Sequence, residues 1–145
     1  MLRSAFRTVA LAGLVLATSS CDTVSGTEPL GGILYVSLEG ATLVRLESNI
    51  DLPCGPRIQT EQQVRAGRFQ ISVLGTDPRE SGCTGVAPVT RTVTLETGGA
   101  TTLPVDIVFG GVVDEYRYTA ARPGVSAARL DSVRTDVTRP GPRPR

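Results

Sequence analysis

The chain has no histidine, no lysine and no tryptophan, and its aromatics come to three tyrosines and three phenylalanines. Without histidine there is no Ser-His or Cys-His nucleophilic pair, no imidazole general base and no His-ligated zinc. Without lysine there is no Schiff-base amine, no Ser-Lys pair and no phosphate loop of the Walker type. An aromatic content of 4% is too small for a broad platform that stacks sugars or bases. The acids are scattered and do not follow the alternating spacing of a calcium loop. Asp114 and Glu115 are adjacent in a strand-like run, so they point to opposite faces rather than at one substrate. The expectation is a protein that is not an enzyme and carries no cofactor and no metal.

What is present begins with an address. A chain of 145 residues suits one domain of ordinary size. Arg3 and Arg7 give a positive start, no acid precedes Asp22, and Thr8 to Ala17 form an apolar run. That run is shorter than the roughly 20 residues a membrane-spanning helix requires. A positive start, a short apolar core and small residues in that order make a secretory signal.

Thr18, Ser19 and Ser20 are followed by Cys21, and here the segment resembles a bacterial lipoprotein signal. The resemblance implies that residues 1–20 are removed and that Cys21 is acylated as the first mature residue. It implies an exported protein, anchored by lipid to a bacterial membrane and facing the periplasm or the cell surface. Thr18 stands where that family usually has Leu, Val or Ile. Two other readings fit the same residues: ordinary cleavage after Ala17-x-Ser19, which leaves Cys21 a free thiol, and a buried amphipathic first helix.

Cysteine parity favours the lipid. With Cys21 acylated, Cys54 and Cys83 remain, and an exported pair is expected to form a disulfide. The loop between them holds about 30 residues, and closing it is worth roughly 3–4 kcal/mol. The alternative is two buried, unlinked thiols. Residues 21–31, rich in Gly, Ser, Thr and Pro, read as a flexible tether.

From residue 32 to 119 the apolar spacing has period two. Leu34, Val36 and Leu38 share one face, as do Val44 and Leu46, then Phe69, Ile71 and Val73, then Val89, Val93 and Leu95. Leu103, Val105, Ile107 and Phe109 form the longest such row, and Tyr116 and Tyr118 mark a closing strand. The polar stretch 57–66 is the weakest strand candidate. Turns are expected at Glu39-Gly40, Ala66-Gly67 and Gly110-Gly111, in the stretch 75–85, and at Gly98-Gly99, where a tight hairpin is predicted. Pro104 lacks an amide hydrogen and argues for an edge strand. The fold class is therefore all-β: a small antiparallel β-sandwich of six to seven strands. The stretches AGRFQISVLG (66–75) and VTLETGGATTLPVDI (93–107) resemble the carboxypeptidase-regulatory-like, transthyretin-like sandwich modules of exported bacterial proteins.

Residues 120–145 differ in kind. They hold six Arg against two Asp (+4), whereas residues 22–119 hold seven Arg against twelve acids (−5). Ala127, Leu130, Val133 and Val137 could stripe a short helix, marginal in isolation. RPGPRPR at the end should be extended. The segment is expected to be disordered or weakly helical. Its charge suits anionic head groups, a cell-wall polymer or the acidic body itself, and equally a plain solvated end. Export and near-neutral overall charge argue against nucleic acid.

The functional expectation is a non-catalytic structural or protein-interaction module of the cell envelope. Its partners are the membrane, through lipid on Cys21, and an envelope protein or polymer. Two alternatives stand beside it. One is a carbohydrate-binding accessory domain, which would need Tyr35, Tyr116 or Tyr118 exposed. The other is a secreted inhibitor or small enzyme using the disulfide-framed loop.

Overall fold

Alternation of apolar and polar side chains gives each strand a dry face and a wet face, and two such sheets bury their dry faces against each other. The computed structural model describes residues 26–78, 82–124 and 127–145. The signal-like segment 1–20 and the candidate lipidation residue Cys21 lie outside the described residues. In chain order the strands are β1 (Leu34–Glu39), β2 (Leu43–Pro53), β3 (Ile58–Arg65), β4 (Arg68–Thr76) and β5 (Val86–Thr94). They are followed by β6 (Thr102–Phe109), β7 (Val112–Thr119), β8 (Arg129–Arg134) and β9 (Thr138–Pro140). One sheet has the order β5-β2-β1-β9 and the other β3-β4-β6-β7-β8.

The core is the set of apolar rows read from the sequence. Leu34, Val36, Val44, Leu46, Val89 and Val93 from the first sheet, with Leu95 just beyond β5, meet Phe69, Ile71, Val105, Ile107, Tyr116 and Tyr118 from the second. Ile58, from the polar stretch that was the weakest strand candidate, is also fully buried.

Hairpins form at the expected turns between β1 and β2, β3 and β4, and β6 and β7. In the β3–β4 turn Ala66 and Gly67 have φ of 50° and 73°, the left-handed pair that a two-residue hairpin with right-handed strand twist needs. Pairing is mostly antiparallel; β4 with β6 and β1 with β9 are parallel.

Three expectations are corrected. Gly98-Gly99 does turn the chain, with the Ala100 amide donating to the Thr97 carbonyl, but it does not make a hairpin. β5 and β6 lie in different sheets, and residues 95–101 carry the chain across the gap. Leu95 stays buried, and its amide donates to the Thr42 carbonyl before the crossing.

Pro104 is not on an edge: β6 lies between β4 and β7. The β4 register begins at Val105, one residue beyond the proline, so the missing amide falls just outside the parallel ladder.

The segment 120–145 is neither disordered nor helical where it is described. It supplies β8 and β9, which brings the count to nine strands. β7 offers an open edge, and Arg129 to Arg134 bond along it; a lone three-turn helix has no comparable stabilisation.

Within the stretch 21–31, read as a tether, Glu28 is already fixed. Its amide donates to the Thr76 carbonyl (3.0 Å), and its carbonyl accepts from the Thr76 amide (2.8 Å). Gly75 permits this approach, since a Cβ there would run into the Glu28 carbonyl.

Candidate functional site

The first feature is the disulfide. β2 ends at Pro53, and Cys54 follows in the left-handed region with φ 67°. Its amide donates to the Gly85 carbonyl at 2.8 Å. Cys54 is bonded to Cys83 with the Cα atoms 5.6 Å apart, a normal span for the bond. β2 and β5 are neighbours in the first sheet, while β3 and β4, which lie between the two cysteines in sequence, belong to the second. The bond therefore closes a ring that leaves one sheet, forms a hairpin in the other and returns. The sequence expectation of a Cys54–Cys83 pair agrees with this.

The second feature is a buried carboxylate. Asp114 on β7 shares the inward face with Tyr116 and Tyr118 and is fully buried. Residues 135–137 cross from β8 in the second sheet to β9 in the first, and Asp114 holds that crossing. Its Oδ1 accepts from the Asp136 amide (2.8 Å), and Oδ2 accepts from the amides of Val137 (3.1 Å) and Thr138 (2.6 Å). Burial alone would push the Asp114 carboxyl up. The bonds from the Thr138 hydroxyl and the three amides outweigh that and leave its pKa below the ordinary value.

Tyr116 Oη lies 2.5 Å from Thr138 Oγ1. Burial, assisted by the nearby Asp114 charge and opposed by Thr138 and Arg139, pushes the Tyr116 phenol up to about 12. Tyr118 reaches the opposite sheet in the same way, donating to the Ala41 carbonyl at 2.9 Å.

The third feature is charged and lies outside the core. The end of the chain crosses the outer face of the first sheet and walls an open groove of about 560 Å³, lined by Glu39, Arg45, Glu47, Asp51, Arg143 and Arg145 among others. Arg143 donates to Asp51 at 2.5 Å and to the Ser48 carbonyl at 3.3 Å. Its guanidinium pKa is raised, chiefly by the Asp51 bond. Arg45 bridges Glu39 (3.3 Å) and Glu47 (3.1 Å). Of the destinations open to the basic tail, Arg143 takes the acidic body. On the outer face of the second sheet Arg68 meets Asp106 (2.5 Å) and Glu115 (3.5 Å), and Arg134 meets Glu115 (3.1 Å).

These contacts limit the chemistry. The groove's acids Glu39, Glu47 and Asp51 each face an arginine, and both oxygens of Asp114 are committed to structural donors. Among the described residues no group of three or more His, Cys, Asp or Glu is placed to hold a metal. Tyr116 and Tyr118 are buried, so only Tyr35, half-buried on β1, remains for a sugar. Sequence reasoning passed over Asp114 because it sought catalytic pairs. The available signal was its phase: it lies two residues before Tyr116, in the row that faces the core. No protein-family model matches the chain, and no curated protein or solved structure matches it. Fold and site together define a two-layer β-sandwich, closed by a disulfide at the end where the N-terminal chain joins it.

Proposed function

We propose that this chain is a lipid-anchored protein of the bacterial cell envelope, acting as a non-catalytic structural or protein-interaction module of the carboxypeptidase-regulatory-like kind. The observation that carries the reading is the Cys54–Cys83 bond. Such bonds persist in oxidising compartments outside the cytosol. Once two of the three cysteines are joined, Cys21 is the single thiol left for acylation. The order of charge, apolar run and small residues ahead of Cys21 gives the same compartment independently.

The mechanism is tethering. Acyl chains hold Cys21 at the bilayer, the short stretch to Glu28 limits how far the body can stray, and the sandwich presents strand edges and loops to an envelope protein or polymer. The commitment of the groove's acids to arginines favours a binding role over a hydrolytic one. Mass spectrometry of the mature, non-reduced protein from its native membrane tests the reading. A mature chain starting at Cys21 with added acyl mass and two fewer hydrogens at Cys54 and Cys83 is expected. A chain that retains Met1 and three alkylatable thiols would overturn it.

A further inference from the structure

The exposed apolar side chains are distributed unevenly along the sandwich. β4 and β6 run parallel and finish toward the same end of the sandwich, β4 at Thr76 and β6 at Phe109; β2 finishes, and β5 and β7 begin, at that same end. Glu28 bonds to Thr76 there, so the N-terminal chain joins the body at this end. Seven large apolar residues are exposed among the described residues, and five of them, Ile50, Leu74, Val86, Val113 and Val133, lie at or near this end. Leu43 and Val64 lie toward the other.

The connections show the same polarity. Residues 53–56, 82–90 and 107–113 contain no charged side chain, whereas the turns at the far end are flanked by Glu39, by Arg65 and Arg68, and by Glu96. Of the charges near the joining end, Asp51 is paired with Arg143, Arg134 with Glu115, and Asp77 accepts from Gln59; Glu28 is half-buried where the chain joins, and Asp136 is exposed. Arg57 is exposed; Arg79 and Glu80 lie outside the described residues.

We infer that this end of the sandwich seats on a lipid bilayer, with Leu74 and Val86 entering the layer between head groups and acyl chains. Isolated exposed apolar residues are ordinary on a protein surface; a group gathered at one end, among connections without charge and beside the point where an anchor arrives, indicates a contact face. The occupant follows from the chain. Cys21 is seven residues before Glu28, at most about 24 Å of extended backbone, so an acyl group on Cys21 brings this end to the bilayer. The inference deepens the anchored reading and rests on it.

The lack of tryptophan makes a single introduced indole a clean reporter. Leu74→Trp and Val86→Trp report on the joining end, and Leu43→Trp and Val64→Trp on the opposite one. Each is placed in the full chain and, separately, in a Cys21→Ser background, then mixed with vesicles of phosphatidylethanolamine and phosphatidylglycerol carrying brominated acyl chains. In the vesicle-bound fraction of either background, tryptophan at 74 and 86 is expected to shift its emission to the blue and lose most of its intensity to bromine. Tryptophan at 43 and 64 should do neither. Equal, unquenched emission from all four positions, or no vesicle binding in either background, overturns the seating. An intact mass without lipid on Cys21 overturns the anchor alone, and the quenching pattern still decides the seating.

Discussion

Of the passages the chain makes between its two sheets, that framed by Cys54–Cys83 and that held by Asp114 are fixed by different chemistry. At the first, a covalent bond encloses the β3–β4 hairpin and acts mainly by restricting the unfolded chain. At the second, one buried carboxylate gathers three amides in the folded state only. The covalent closure is indifferent to acid and lost to reductant; the carboxylate closure is the reverse. The same architectural need is met by two devices that fail under different conditions, so each can be removed while the other is watched.

The largest effect is expected from Cys54→Ala with Cys83→Ala. Removing the ring should cost roughly 3–4 kcal/mol in urea unfolding, with little change in amide exchange protection at 136–138 relative to the rest of the sheet. Equal stability of the double variant and the oxidised parent would refute a stabilising bond.

Asp114→Asn comes next. It replaces one accepting oxygen with a donor that faces other donors, at about 2–3 kcal/mol, and should selectively expose the amides of Asp136, Val137 and Thr138 to exchange. The pH dependence has a definite sign. The folded pKa of Asp114 lies below its unfolded value, so its stabilisation is complete above the unfolded value of about 4 and is lost as pH falls through the folded one. Acid should therefore loosen β9 in the parent and add little further loss in Asp114→Asn; an identical acid response in both chains would remove Asp114 from this role. The smallest effect is expected at the phenol. Tyr116→Phe removes the bond between Tyr116 and Thr138 while the three amide bonds to Asp114 survive, so a loss of about 1 kcal/mol is expected. A loss as large as that of Asp114→Asn would mean that the phenol, rather than the amides, carries the closure.

The apolar rows were legible because period two is a local property: Leu103, Val105, Ile107 and Phe109 alternate whatever sheet they join. The Cys54–Cys83 bond was legible from cysteine parity together with the signal-like order of residues ahead of Cys21. Sheet membership was not legible. Whether Gly98-Gly99 reverses the chain within a layer or between layers depends on β4 being available to pair with β6, a contact between residues far apart in sequence. The tail was misread for a related reason. Ala127, Leu130, Val133 and Val137 fit a helical stripe, and the competing stabilisation comes from the β7 edge and from Asp114, which the local pattern does not contain. Pro104 illustrates how narrow such rules are, since a one-residue offset in register allows a proline in a central strand.

The position of β1 has a mechanical consequence. β1 is an inner strand, paired along its six residues with β2 on one side and over Leu34 to Val36 with β9 on the other, and the chain reaches it after the five residues that follow Glu28. Tension applied through the N-terminal segment along the strand axis would break the Glu28–Thr76 bridge first and then load the rungs of β1 in shear. In shear those rungs share the force and yield together rather than one at a time. A body pulled from its first strand in this way resists being dragged.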